Sequence, residues 1–109
     1  IMPSLFETFG IAAIEALACG LPVIIGRGAG VSSVIEQEKV GKVIDVPADP
    51  GKLAKLIEET SMTENDLKSA GKIDQEIEKR IGVSLKYAHS EIIKNFLTVI
   101  NQEAQRKIL

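Results

Sequence analysis

The chain has 109 residues with one His, one Cys and no Trp; 45% are apolar, 26% are charged, and the formal charge is −2. That composition fits one globular domain or part of one and excludes intrinsic disorder, a collagen-like repeat and a disulfide-stapled module, because a lone Cys forms no internal bridge. Basic residues are scattered as Lys39, Lys42, Lys52 and Lys55, which argues against nucleic-acid binding, and Pro22 with its neighbouring glycines keeps the apolar run well short of the roughly 20 residues of a transmembrane segment.

Ile1 stands directly before Met2 without a signal-type start, so the first residue need not be a biological one and a missing targeting signal carries no weight. Ser4 to Gly10 reads as a loop leading into a run of good helix formers, Ile11 to Cys19, closed by Gly20 and Pro22. Val23 to Ile25 is β-branched throughout, which suits a short strand buried on both faces. Gly26, Gly28 and Gly30 lead to a short helix from Val31 to about Gln37, and Gly41 to Val46 reads as a second buried strand stopped by Pro47 and Pro50.

Asp49-Pro50 opens a helix over Gly51 to Thr60, with Leu53, Leu56 and Ile57 on one stripe. Thr63 with Asp66 three residues on resembles a capping box and starts a more polar helix running to about Ile81, where Gly82 breaks it. From about Ser84 to the end, Leu85, Ile92, Ile93, Phe96, Leu97 and Ile100 mark a long final helix with one apolar stripe. The order predicts an α/β fold, a parallel sheet with flanking helices and C-terminal helices over about 63–109. Two or three strands fall short of the about five or six of a doubly wound domain, so residues 1–109 read as part of one.

Two carboxylates stand out. Within Ile11 to Cys19 every residue but Glu15 is apolar, and an ionised group buried there without a partner would be penalised by several kcal/mol. Glu15 must therefore face water, a cation or the hydroxyls of a ligand. Glu7 lies just before a helix N-terminus, whose unpaired N–H groups favour an anion. The bland alternatives are a solvent-facing Glu15 and a Glu7 that merely complements the helix dipole.

The stretch Pro3-Ser4-Leu5-Phe6-Glu7-Thr8-Phe9-Gly10-Ile11-Ala12-Ala13-Ile14-Glu15-Ala16-Leu17-Ala18-Cys19-Gly20-Leu21-Pro22-Val23-Ile24 closely resembles the nucleotide-sugar-binding signature of retaining GT-B glycosyltransferases, notably family 4, the glycosyl transferases group 1. The resemblance implies a partial Rossmann-like fold, the C-terminal part of the donor-binding domain. It implies that Glu7 binds hydroxyls of the transferred sugar and is the catalytic residue of this segment, that backbone around Thr8, Phe9, Gly10 and Ile11 approaches the diphosphate, and that Glu15 binds the ribose. It further implies a nucleotide-diphosphate sugar as substrate, transfer with retention, no metal and no cofactor, an N-terminal acceptor-binding domain outside these residues, and a cytoplasmic site, with the complete enzyme peripheral to the inner membrane in some cases. Without that domain and the cations that hold the leaving diphosphate, the isolated chain is expected to be inactive. Gly26, Ala29 and Ser33 depart from the Ser or Thr, Gly and Glu that family members more often carry.

Two other readings stay open. One is a truncated, noncatalytic interaction module, self-associating through an exposed sheet edge or apolar helix stripes. The other is a dinucleotide-binding module, because Gly26-Arg27-Gly28-Ala29-Gly30 follows a strand with Asp45 at the end of the next, although the spacing is off by one. Arg27 can reach a phosphate, but a lone loop Arg is more often solvated. His89 has no metal-spaced partners, and Cys19 is read as a packed thiol.

Overall fold

A computed structural model describes residues 1–108. Seven elements follow in order: α1 (Ile11–Ala18), β1 (Val23–Gly26), α2 (Ser32–Glu38), β2 (Gly41–Ile44), α3 (Pro50–Ser69), α4 (Ile73–Leu85) and α5 (His89–Ile108). The fold is α/β, with a small parallel sheet and flanking helices.

β1 and β2 pair in parallel, Val23 opposite Gly41 through Gly26 opposite Ile44. Met2 bridges Ile25 on the other side of β1, also in parallel, donating to the Ile24 carbonyl and accepting from the Gly26 N–H. β1 is thus central and buried along its whole length, as its β-branched residues require. β2 corrects the expectation of a second fully buried strand: it ends at Ile44, lies at the edge and leaves Lys42 exposed.

The core joins Leu17 of α1, Ile25 of β1, Val31, Ile35 of α2 and Val40, all essentially inaccessible. α1 ends where Gly20 takes a left-handed φ of 77°; its N–H meets the Leu17 carbonyl and that of Leu21 meets Ala16, the Schellman closure that the glycine permits. α4 then packs along α1. Arg80 binds the two together from the buried side, donating from Nη1 to the Gly20 carbonyl at 3.0 Å and from Nη2 to Glu64 of α3.

Three helix boundaries differ from expectation, the first being the start of the final helix, which begins at His89 rather than about Ser84 because α4 runs on to Leu85. α3 runs through Thr63, which is no cap: the Thr63 hydroxyl donates back to the Glu59 carbonyl and that of Thr60 to Leu56, so both sit inside a continuing helix. With neither Gly nor Pro to stop it, α3 continues to Ala70 and turns at Gly71, φ 67°. Gly82 does not break α4 either. It is exposed, and a single helical Gly costs only about 1 kcal/mol relative to Ala, which the buried neighbours Arg80, Val83 and Ser84 offset. The Asp49-Pro50 helix entry stands as expected, and the structure adds that the Asp49 carboxylate caps it, accepting from the Lys52 N–H at 2.8 Å. Cys19 is exposed rather than packed.

α5 lies apart from the rest beyond its first turn, with Phe96 and Leu97 63% and 53% exposed. The Cα radius of gyration of 17.1 Å exceeds the about 13 Å of a compact chain this long, consistent with a helix standing off the body.

Candidate functional site

The loop from Ser4 to Gly10 leaves the end of the Met2 segment and runs beside the loop that follows β1. The two are paired by backbone: Glu7 N–H donates to the Gly28 carbonyl at 3.4 Å, the Glu7 carbonyl accepts from Gly30 at 3.2 Å, and the Phe9 carbonyl accepts from Val31 at 2.8 Å. Their approach is so close that a Cβ at Gly28 would strike the Leu5 carbonyl oxygen, and one at Gly30 that of Thr8. Loop-to-loop packing thus accounts for the glycine run that suggested a dinucleotide fingerprint. The helix after it, α2, has only 7 residues.

Gly10 reverses the chain into α1 with φ 102° while its Cα faces Val31, Met2 and Ile25. A side chain there meets both a disfavoured backbone region and a filled core. No side chain caps α1, and the N–H groups of Ile11 and Ala12 find no backbone acceptor among the described residues. A helix N-terminus with open donors, beside the half-buried Glu7, therefore forms at the end of the sheet.

The six residues singled out divide between two sides of this turn. Glu7 and the exposed Thr8 lie on the face paired with Gly28 and Gly30. Phe9, Ile11 and Glu15 line a cavity of about 270 Å³ that α1 shares with the α4–α5 junction, where Tyr87 and His89 form the far wall. Gly10 is the buried pivot between them. Glu15 is exposed, which resolves its burial problem without a protein cation. Among the described residues no group of three or more His, Cys, Asp or Glu converges as metal ligands do, and no helix is long and apolar enough to cross a membrane.

Arg27 is solvated, as a lone loop Arg usually is, with half of its side chain exposed, and it is also paired with two acids. Its Nε donates to Asp45, the acid named at the end of the second strand, at 2.7 Å, and its Nη1 to Glu36 of α2 at 3.4 Å. The Asp45 carboxyl is held below the usual carboxylate range by the hydrogen bond and charge of Arg27, and the guanidinium is raised in turn.

Sequence reasoning missed the α4–α5 junction as part of this site, and missed Arg80. The Arg80 signal was present: with Ile73, Ile77 and Ser84 it falls on the buried stripe of α4, where a cation must have partners.

Comparison with known proteins now decides the family. The family described as Glycosyl transferases group 1 matches residues 1–80. The chain belongs to that family. It is 44% identical over 45 residues to a D-inositol 3-phosphate glycosyltransferase of Pseudarthrobacter chlorophenolicus, covering 41% of this chain and 11% of the relative. It is 30% identical over 102 residues to a probable sucrose-phosphate synthase of Thermosipho melanesiensis, covering 94% of this chain and 22% of that one. A sucrose synthase of Denitrovibrio acetiphilus is 35% identical over 81 residues, covering 74% of this chain and 10% of the relative. The group 1 segment thus spans at most about a fifth of these relatives' lengths. No solved structure matches.

Proposed function

We propose that residues 1–109 are the C-terminal part of the donor site of a retaining glycosyltransferase, which moves a glycosyl group from a nucleotide-diphosphate sugar to an acceptor. The observation that carries this reading is the uncapped N-terminus of α1, with its open Ile11 and Ala12 donors, set beside Glu7 in a chain of the group 1 family. Open helical N–H groups bind an anion such as a diphosphate with no metal required. Glu7 binds the hydroxyls of the transferred sugar, the backbone from Thr8 to Ile11 meets the diphosphate, and Glu15 accepts hydrogen bonds from the ribose diol.

The remaining parts of the enzyme lie outside these residues. An N-terminal acceptor-binding domain positions the acceptor's nucleophilic group, and cations of the donor domain stabilise the leaving diphosphate where charge develops. The apolar stripe of α5, with Ile93, Phe96, Leu97 and Ile100 exposed, packs on that domain. The enzyme works in the cytoplasm, where activated sugars are made, and the isolated chain does not turn over.

The test is binding followed by stereochemistry. Titrating the chain with UDP-, GDP- and ADP-linked hexoses, read by NMR amide shifts, is expected to move the Glu7 to Glu15 signals with one donor class. The complete polypeptide that contains these residues should yield product with the donor's anomeric configuration. Shifts confined elsewhere, or inverted product, overturn the assignment.

A further inference from the structure

The cavity that holds Glu15 has two unlike walls. α1 supplies Ile11, Ile14 and the Glu15 carboxylate, and the α4–α5 junction supplies Tyr87, His89 and Ile92. Its volume of about 270 Å³ lies just below the about 300–1,000 Å³ of sites that enclose whole small ligands, so it fits one portion of a nucleotide sugar. The lining is largely apolar. Of its two hydroxyls, that of Ser84 donates to the Ile81 carbonyl at 2.7 Å, and Tyr87 carries the other. The imidazole of His89 takes part in no side-chain hydrogen bond or ion pair among the described residues.

A carboxylate accepts hydrogen bonds only, whereas a neutral imidazole donates from one nitrogen and accepts at the other. A vicinal diol offers two donors and two sets of acceptor lone pairs. The carboxylate alone leaves the diol's acceptor capacity unmet, and an imidazole across the same cavity meets it.

We propose that His89 is a second hydroxyl-binding residue of the nucleoside subsite, facing Glu15 across the cavity that the α4–α5 junction closes. The inference rests on the reading that Glu15 meets the ribose of the donor. It adds that the subsite is built from both ends of the chain. Its His wall stands on the first turn of α5, so binding there also draws α5 toward α1.

The test uses the complete polypeptide that contains these residues and the diphosphate of whichever nucleoside binds among uridine, guanosine and adenosine, beside its 2′,3′-dideoxy form. His89→Ala is expected to weaken the ribonucleotide about 3- to 10-fold, the range one neutral hydrogen bond supplies. The same variant should leave the dideoxynucleotide within about twofold of wild type, so the ratio of the two affinities falls. His89→Gln, which keeps one donor and one acceptor, should restore part of that ratio. Ribonucleotide should also slow amide exchange at Ile92 and Ile93 in wild type more than in His89→Ala. If Glu15→Ala lowers the ratio while His89→Ala leaves it unchanged, the junction has no part in the subsite and this proposal fails alone. If Glu15→Ala also leaves it unchanged, or no nucleotide binds, the ribose reading of Glu15 fails and takes this proposal with it.

Discussion

The rings of Phe9 and Tyr87 lie 5.7 Å apart, centroid to centroid, inclined at 46°. Phe9 ends the loop ahead of α1 and Tyr87 sits between α4 and α5, so one aromatic contact ties the last third of the chain to the turn that carries Glu7 and Gly10. Such pairs contribute about 0.5–1.5 kcal/mol beyond area burial. Tyr87→Leu, which keeps apolar bulk and removes the ring, should lower the urea midpoint by a corresponding amount with the slope unchanged. An unaltered midpoint would mean that the contact stabilises nothing.

Arg80 is 5% exposed and anchors both Glu64 and the Gly20 carbonyl. Removing one partner of a buried ion pair typically costs about 3–5 kcal/mol. Glu64 keeps 28% of its side-chain surface and can hydrate, so Arg80→Ala should cost toward the lower end, about 3 kcal/mol. Arg80→Met, which refills the volume, should cost less. Denaturant unfolding of the two variants checks the order.

Two glycines predict opposite signs. A Cβ at Gly82 meets nothing within 4 Å on an exposed helix, so Gly82→Ala should raise stability by about 0.5–1 kcal/mol. Gly28→Ala would drive its methyl into the Leu5 carbonyl and should be destabilising. Its amide shifts should change along Leu5 to Phe9 as the paired loops separate. Thermal melts of both variants decide.

Asp45 titrates below its ordinary range because of Arg27. A carboxyl whose folded pKa is depressed contributes stability above its unfolded value, about 3.9, and loses it as pH falls through the folded value. The difference in stability between wild type and Asp45→Asn should therefore be present at pH 6 and vanish as pH falls well below 4. Both partners are largely exposed, so the difference should be small and should shrink in salt. A difference that grows toward acid pH would reverse the sign and refute the pairing.

If Glu7 binds the transferred sugar and Glu15 the ribose, as proposed, then in the complete polypeptide Glu7→Ala should lower kcat most, whereas Glu15→Ala should chiefly raise KM for the donor. Wild-type constants in both variants would remove these residues from the site.

The positions of α1, β1, α2 and the Asp49-Pro50 helix entry were legible because each is written locally: helix formers ending at a left-handed glycine, a β-branched triplet, a carboxylate ahead of Pro50. The pattern from Pro3 to Ile24 was likewise sufficient for the family. The Thr63 and Gly82 boundaries were misread because a hydroxyl that bonds back within a helix and one that caps it look alike in sequence. A helical glycine is likewise tolerated or breaking according to what its neighbours bury.

Three relationships were decided only by the tertiary structure. The glycines of the Gly26 to Gly30 loop serve the backbone of Ser4 to Thr8, Arg80 reaches sixty residues back to the Gly20 carbonyl, and the α4–α5 junction lines one cavity with Glu15. Each depends on which distant segment lies opposite, and no local propensity or spacing encodes that. Packing α4 along α1 brings the last two pairs together, whereas the loops meet through their own backbone beside β1.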